Sequence, residues 1–212
     1  DVSEGARTEM AGMLTNGSEG GACSLRVEGD ALCFRLDAQK APACVVSSTG
    51  EEEPCASVAE AFSSLRSGET VKLLQDAGDI SIDRGTSRSS FALDLNGHTA
   101  RSLAVSTKAS VRVFSSADER GGINGFSGAA KGAVSYSGSG SLALESVDVA
   151  STSYSSDVTA LSITGSGDVT LSDVNVRAIA GSSSVRGIAQ TAGTASIAVV
   201  GGSLSASSDK PG

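Results

Sequence analysis

Gly132-Ala-Val-Ser-Tyr-Ser-Gly-Ser-Gly-Ser-Leu-Ala-Leu-Glu-Ser-Val-Asp-Val149 is followed by a second version of itself, Thr159-Ala-Leu-Ser-Ile-Thr-Gly-Ser-Gly-Asp-Val-Thr-Leu-Ser-Asp-Val-Asn-Val176. Matching apolar positions in the two segments, such as Tyr136 and Ile163, lie 27 residues apart. A looser third version spans residues 187–204, and one inserted residue lengthens its later spacings to 28. A fixed spacing in this range is typical of a solenoid, in which each unit leaves an apolar face that the next unit covers.

Within each unit the apolar residues alternate with polar ones, which is the spacing of β-strands. In the first copy the apolar pairs are Val134/Tyr136, Leu142/Leu144 and Val147/Val149. Three short strands per turn predict an all-β fold, a parallel β-helix with about five coils between residues 71 and 204. The Gly-Ser-Gly at 138–140 supplies one corner, and the dipeptides Glu145-Ser146 and Ser172-Asp173 leave room for only a sharp bend at another.

The composition fits this fold and excludes several classes of function. Aromatic residues make up only 3% of the chain and Trp is absent, and the narrow interior of a β-helix is filled by aliphatic side chains instead. The net charge of −8 argues against a nucleic-acid partner, which requires a basic surface. No apolar run approaches the length of a transmembrane helix, so we expect no membrane insertion. Residues 1–20 also lack the pattern of a signal peptide.

The four cysteines, Cys23, Cys33, Cys44 and Cys55, all precede the repeats. Their wide spacings match no zinc pattern, and we expect neither a structural metal nor a cofactor. Disulfides between Cys23 and Cys33 and between Cys44 and Cys55 would each close a small hairpin. Four cysteines permit three pairings. The alternative is four unrelated buried thiols. Two disulfides would imply an oxidising compartment, so we expect an extracellular or cell-surface location.

The sequence divides into four parts: a loose leader (1–20), cysteine-bearing hairpins (21–56), a helix (57–67) and the β-helix (68–212). Ser57 and Glu60 make a capping box in front of an apolar helical stripe. We expect this helix to cover the first coil, because an open solenoid end exposes apolar columns and strand edges. Nothing in residues 205–212 could cover the last coil, so we expect a fragment of a longer protein or an end covered by another chain, with end-to-end self-association as one form of the latter.

Two segments near the start of the predicted β-helix resemble a known family. Gly68-Glu-Thr-Val-Lys-Leu-Leu-Gln-Asp76 and Leu93-Asp-Leu-Asn-Gly-His-Thr99, preceded by an amphipathic helix, look like the opening coils of pectate-lyase-like right-handed parallel β-helix domains. Such domains recur in large cell-surface proteins of Gram-positive-type bacteria. The resemblance covers roughly residues 57–212. It implies the architecture and no particular activity, since this opening occurs in proteins of many functions.

The resemblance raises the question of catalysis, because polysaccharide lyases and glycoside hydrolases share this architecture. Such lyases hold calcium with clustered acidic residues, and related hydrolases use neighbouring Asp side chains as acid and base. In this sequence Glu145, Asp148 and Asp173 are the candidates for a calcium site, with solvated polar turns as the alternative.

The repeat also predicts how these polar residues stack. It places Asp148 above Asn175 and Ser203, which makes a polar ladder headed by a single charge and leaves no paired carboxylates. We therefore identify no catalytic residues. Tyr154, in the loop of residues 151–157, is the candidate for contact with a ligand, because the other tyrosine, Tyr136, occupies an inward position.

We therefore expect a non-catalytic extracellular β-helix module of a bacterial surface or secreted protein. It would act as a rigid spacer or as an adhesive face for a glycan or a cell-surface protein. The alternative is a fragment of a carbohydrate-active enzyme, a polysaccharide lyase or a glycoside hydrolase, acting on acidic polysaccharides. A groove lined by three or more acidic residues would favour the enzyme, and a surface covered by Ser and Thr would favour the module.

Overall fold

The chain folds as a right-handed parallel β-helix of about five turns, which confirms the predicted fold class. The computed structural model describes residues 23–28, 31–36, 39–126, 132–154, 156–181 and 184–208. The predicted leader of residues 1–20 lies outside the described residues, as do residues 209–212 of the predicted β-helix.

The described residues form one short helix, α1 (Val58–Ser64), and a series of short strands. The strands are β1 (Cys23–Glu28), β2 (Ala31–Leu36), β3 (Ala43–Val46), β4 (Glu52–Cys55), β5 (Thr70–Leu73), β6 (Ala77–Ile82), β7 (Ser90–Asp94), β8 (Thr99–Val105), β9 (Ser110–Phe114), β10 (Gly122–Phe126), β11 (Val134–Tyr136), β12 (Ser141–Glu145), β13 (Asp148–Ser153), β14 (Val158–Ile163), β15 (Val169–Ala180), β16 (Val185–Gln190) and β17 (Ile197–Ser208).

Three ladders of parallel strands run along the β-helix. The first ladder contains β5, β7, β9, β12 and the first halves of β15 and β17. The second contains the start of β8, then β10, β13 and the second halves of β15 and β17. The third contains β6, β8, β11, β14 and β16. β15 and β17 are long because each passes around a corner and serves two ladders.

The strand register confirms the predicted repeat. Val134 pairs with Leu161, which is the 27-residue step. In the last coil Leu171 pairs with Val199, which is the step of 28 produced by the inserted residue. The same inward positions therefore stack on one another from coil to coil, as the spacing predicts.

The inward residues form one continuous core. Side chains that are at most 1% exposed include Leu73, Leu93, Leu103, Leu142, Leu144, Val147, Val149, Leu161, Ile163 and Leu171. Burying an aliphatic side chain of this size contributes roughly 1.5–3 kcal/mol. Repetition of the same burial in each coil lets the fold do without a large aromatic core.

The Gly-Ser-Gly corner is shaped by Tyr136, which is 1% exposed and points inward. Its hydroxyl donates to the backbone oxygen of Gly140 at 2.7 Å, so the buried phenol keeps a hydrogen bond. In the next coil, a Cβ added to Gly167 would overlap both Gly140 O and Tyr136 Oη. Glycine is needed at Gly167 because the coils and the tyrosine ring leave no room for a side chain.

The predicted sharp bend lies between the first and second ladders. Ser146 (φ 52°) and Asp173 (φ 53°) adopt the left-handed conformation at equivalent positions of successive coils, which is uncommon for residues other than glycine. In the last coil Gly201 (φ 75°) and Gly202 (φ 80°) occupy the same bend. Each bend turns the chain from one sheet face to the next.

Helix α1 begins as the capping box predicts. Ser57 Oγ accepts a hydrogen bond from Glu60 N at 3.0 Å, and Glu60 Oε2 accepts one from Ala56 N at 2.7 Å. The helix ends at Ser64, earlier than the predicted residue 67, because Leu65 takes an extended conformation (φ −57°, ψ 133°).

The helix packs on the first coil. It buries Val58, Ala61 and Phe62 against the core and contacts β3, β5 and β6. Arg84, in the segment after β6, donates from Nη1 to Phe62 O at 2.7 Å and also to Ser63 O. A cation at the last carbonyls of a helix is favourable, so Arg84 fixes the helix on the end of the solenoid.

The predicted disulfides are wrong for the cysteines of the second hairpin. Cys44 and Cys55 are both buried free thiols. In the antiparallel pair of β3 and β4, Cys44 lies opposite Pro54 and Cys55 lies opposite Ala43. The cysteines are thus one register step apart and project from opposite faces of the strand pair, because side chains alternate along a strand.

The backbone register also excludes the other predicted pair. β1 and β2 form an antiparallel hairpin in which Cys23 lies opposite Leu36, and Cys33 lies opposite Arg26. Cys23 and Cys33 are therefore three positions out of register, about 10 Å along a strand, which is beyond the Cα separation of a disulfide. The structure forms no disulfide within the residues it describes, so no disulfide supports an oxidising compartment.

Candidate functional site

The three predicted calcium candidates lie near one another on the outside of the bend between the first and second ladders. Glu145 ends β12, Asp148 begins β13, and Asp173 occupies the bend of β15 in the next coil. Their side chains are 35%, 45% and 61% exposed. The repeat therefore brings together the acidic residues that the sequence singled out.

Arg120 binds two of these carboxylates at once. It lies in the segment of residues 115–121, which connects β9 to β10 one coil earlier. Its Nε donates to Asp148 Oδ1 at 3.0 Å and its Nη1 donates to Asp173 Oδ2 at 2.8 Å. Its Nη2 also donates to the backbone oxygens of Val147 and Asp173. One guanidinium thus joins three successive coils.

Arg112 holds the third carboxylate. Its Nε and Nη2 both donate to Glu145 Oε2, at 2.9 and 2.7 Å. The guanidinium carbon also lies 4.1 Å from the ring centre of Phe114, within the range of a cation–π interaction. The register explains the contact, because Phe114 pairs with Glu145 and Arg112 pairs with Ala143 on the same outward face.

These contacts change what the acidic residues can do chemically. The hydrogen bond to Asp173 is the main cause that raises the pKa of Arg120, and the bond to Asp148 adds to it. The hydrogen bond to Glu145 likewise raises the pKa of Arg112. Calcium requires six to eight oxygen ligands, and here a guanidinium group already engages one oxygen of each of the three carboxylates. Across the described residues, no group of three or more His, Cys, Asp or Glu is arranged to hold a metal ion.

The predicted polar ladder is formed as expected. Asp148 pairs with Asn175, which in turn pairs with Ser203. Asn175 Nδ2 donates to Asp148 Oδ1 at 2.8 Å, and Ser203 Oγ donates to Asn175 Oδ1 at 2.8 Å. The ladder links the last three coils by side-chain hydrogen bonds and adds no second carboxylate beside Asp148.

Tyr154 is the most exposed large hydrophobic side chain of the described residues, at 75%. It follows β13 at the corner between the second and third ladders. A Cβ at Gly181, one coil further on, would come within 2.6 Å of Tyr154 O, so the backbone of the tyrosine lies directly on the next coil. The ring is therefore presented to solvent from a supported position.

A shallow groove runs along the corner between the third and first ladders. It has a volume of about 290 Å³ and crosses three coils. It is lined by Ser106, Thr107, Lys108, Ser137, Gly138, Ser139, Thr164, Gly165 and Ser166. In each coil the middle residue is buried and its two neighbours are exposed, so five of the six edge positions carry a hydroxyl group and the sixth carries the amine of Lys108.

A cavity of about 640 Å³ at the start of the solenoid was not anticipated from the sequence. It lies between the β3–β4 hairpin and the end of α1 and is lined by Val45, Ser47, Glu51, Glu52, Glu53, Pro54, Ser64, Arg66 and Glu69. Glu52 is bound to Lys72 Nζ at 2.9 Å, and Glu69 accepts from Arg66 N at 2.7 Å. The run of glutamates at 51–53 was the available signal for an acidic surface at this end.

The search for membrane-spanning helices and the comparisons with known proteins both gave negative results. No helix among the described residues has the length and apolar character needed to cross a membrane. Comparison of the chain with family profiles, with curated proteins and with solved structures found no significant match. The β-helix architecture therefore rests on the chain's own register, and the likeness to pectate-lyase-like proteins remains a resemblance of the two opening segments.

Proposed function

We propose that this chain is a non-catalytic β-helix module of a bacterial surface or secreted protein, which presents a rigid face to a glycan or to another surface protein. The observation that carries the proposal is the engagement of Glu145, Asp148 and Asp173 by Arg112 and Arg120. Each of these carboxylates is paired with an arginine, which disfavours the binding of calcium there, and the guanidinium contacts join successive coils.

The outer surface supports the presenting role. The corner groove carries hydroxyl groups at regular steps, and strands in adjacent coils are about 4.8 Å apart. Tyr154 adds an exposed aromatic ring on a supported backbone, and aromatic rings of this kind provide flat apolar contact area. Both features are fixed by the stacked coils, so a ligand would meet a surface that requires little ordering on binding.

We also propose an extracellular or cell-surface location for the chain. Because Cys44 and Cys55 are free thiols, the location is supported by the resemblance of the opening segments to cell-surface proteins and no longer by disulfides.

Electrophoresis through gels that contain acidic or neutral polysaccharides tests the proposal with two readouts. Retardation of the protein reports binding, and clearing of the polysaccharide or release of reducing ends reports cleavage. We expect retardation by at least one polysaccharide, weakened by Tyr154→Ala, without cleavage in the presence or absence of calcium. Cleavage that requires Glu145, Asp148 or Asp173 would overturn the proposal and establish the carbohydrate-active enzyme instead.

A further inference from the structure

The arginines of the β-helix differ in whether the chain itself binds their side chains. Four of them are held by carboxylates or by helix carbonyls, namely Arg84, Arg101, Arg112 and Arg120. Arg177 and Arg186 are exposed, and neither guanidinium group forms an ion pair or a hydrogen bond with another residue that the structure describes. Both groups are therefore available to an anion outside the chain.

These two arginines lie on either side of the corner that presents Tyr154. A Cβ at Gly181 would come within 2.6 Å of Tyr154 O, so the tyrosine sits beside Gly181 of the next coil. Arg177 lies four residues before Gly181, about 13 Å along a strand. Arg186 lies five residues after Gly181, which is at most about 18 Å of extended chain. A single extended ligand can therefore contact the ring and both guanidinium groups.

The surface between Arg177 and the tyrosine is apolar. Thr152 pairs with Ile179 in the second ladder, and both residues are half-buried. Because side chains alternate along a strand, Thr152 and Tyr154 share the outward face with Arg177 and Ile179. This face thus carries a guanidinium group at one end, methyl groups in the middle and an aromatic ring at the corner.

Hydrogen bonds fix the corner. Gly181 N donates to Ser153 O at 2.8 Å, and Ser156 N donates to Ser153 Oγ at 3.1 Å. Ser184 N donates to Asp157 Oδ1 at 3.0 Å, so the carboxylate of the corner is engaged by the backbone of the next coil and by no arginine. A ligand would therefore meet groups that need little ordering on binding.

We propose that Tyr154, Arg177 and Arg186 form a binding site for an anionic glycan. A sugar ring packs on the tyrosine, and carboxylate or sulfate groups of the glycan pair with the two guanidinium groups. The inference rests on the proposed function and names the class of glycan that this face takes.

The chemistry of the three side chains supports this class of ligand. A guanidinium group has only hydrogen-bond donors, and its planar fork matches two oxygens of one anion. The aromatic ring adds a flat apolar surface. A glycan with acidic groups supplies both a ring face and the anions. An acidic peptide supplies the anions alone and is the competing ligand that the experiment separates.

The net charge of the chain makes the experiment discriminating. At −8 the chain as a whole repels a polyanion, so an anionic polymer is retained only by local pairing. Loss of the two arginines should therefore have a much larger effect than the same loss of charge elsewhere. The pairing should also weaken as the salt concentration rises.

Biolayer interferometry of the 212-residue chain on immobilised dextran, carboxymethyl dextran and dextran sulfate varies the charge on one sugar backbone. We expect at least one anionic dextran to bind about tenfold more tightly than dextran, because each guanidinium group gains charge-assisted hydrogen bonds. Binding to the carboxymethyl form identifies carboxylates as the paired groups, and binding to the sulfated form alone identifies sulfates. Immobilised poly-L-glutamate supplies carboxylates without sugar rings and should bind more weakly.

The double substitution Arg177→Gln and Arg186→Gln should abolish the preference for the anionic dextrans. Arg66→Gln with Arg88→Gln is the matched control, since these arginines are also exposed and lack ion pairs with described residues but lie near the start of the solenoid. It removes the same charge and should change the affinity less than about twofold. Tyr154→Phe should keep the affinity and Tyr154→Ala should lower it. Circular dichroism and the melting temperature verify that each variant is folded.

Equal binding to the three dextrans, or equal losses in the two arginine pairs, would overturn the inference and leave the proposed function standing. Equal or tighter binding of poly-L-glutamate would replace the glycan with an acidic peptide. If neither anionic dextran binds, the inference alone fails when polysaccharide gels still retard the protein, and the proposed function fails with it when they do not.

Discussion

Arg120 Nη1 meets Asp173 Oδ2 at 2.8 Å although the two residues are 53 positions apart in the chain and two coils apart in the fold. The same guanidinium binds Asp148 in the coil between them. The contact fastens the segment of residues 115–121 against the bend of the β-helix, so Arg120, Asp148 and Asp173 form a structural junction between coils.

Arg120→Ala should lower the free energy of unfolding by about 1–2 kcal/mol, because two charge-assisted pairs and their bonds to backbone oxygens are lost. Urea denaturation followed by circular dichroism measures the change. Arg101→Ala is the control: Arg101 pairs with Asp79 in the preceding coil only and is 63% exposed, so its loss should cost less. Equal effects of the two substitutions would show that the junction of three coils adds nothing to the free energy of unfolding beyond a surface ion pair.

Gly167→Ala should destabilise the fold by at least about 3 kcal/mol, because the new Cβ overlaps a backbone oxygen of the preceding coil and the hydroxyl of Tyr136. Gly78→Ala is the matched control, since a Cβ at Gly78 meets no atom within 4 Å. We expect the control to be neutral or slightly stabilising, as the unfolded chain loses entropy. Melting temperatures compare the two, and a mild effect at Gly167 would contradict the close stacking of the Gly-Ser-Gly corners.

The pKa of Asp79 should be about 2, lowered mainly by hydrogen bonds from Arg101 and also from Ser102. A carboxyl group whose pKa is depressed in the folded state stabilises the fold above its unfolded pKa, and this contribution disappears as the pH falls from about 4 to about 2. Carbon-13 NMR titration of the Asp79 carboxyl measures the value. In Arg101→Ala the pKa should return toward its ordinary range, and an unchanged low value would assign the shift to another cause.

Cys44 should resist thiol reagents in the folded protein, because burial raises its pKa to about 11 and Glu52 adds to the shift. Only the thiolate reacts, so labelling should become fast when the chain unfolds. The raised pKa also means that the folded state holds its proton more tightly, and stability should fall as the pH rises from about 9 toward 11.

Mass spectrometry after alkylation in denaturant, without reductant, provides the companion measurement for the cysteines. Peptides that contain Cys44 and Cys55 should both carry the alkyl group. A disulfide between these two residues would contradict the register of β3 and β4.

The fold was predictable because the repeat spacing determines which residues of successive coils pair. Spacings such as Leu142 to Val169 became strand pairs, and the Asp148 column became a hydrogen-bonded ladder. The same reasoning located the bend at Ser146 and the cap at Ser57, since each depends on residues that are neighbours in the chain or one repeat apart.

The candidate site was only half predictable. Its acidic residues lie inside the repeat, whereas Arg120 lies in an inserted segment whose path no periodicity describes. Arg112 was within reach of the same reasoning, because it pairs with Ala143, two positions before Glu145 on the same face. A repeat that is aligned column by column does not show such diagonal neighbours.

The predicted disulfides failed for a different reason. The even spacing of the cysteines does not show on which face of its strand each side chain lies. A shift of one residue turns a side chain to the opposite face. Cys44 and Cys55 are separated in this way, with Cys55 in the core and Cys44 buried on the other side of β3.

A crystal structure of the chain grown with calcium at neutral pH tests the central claim most directly. The account predicts a parallel β-helix in which Val134 pairs with Leu161, and in which Arg120 bridges Asp148 and Asp173 with no metal between them. A calcium ion held by Glu145, Asp148 or Asp173, with Arg120 displaced into solvent, would contradict it and make this bend the place to search for polysaccharide cleavage.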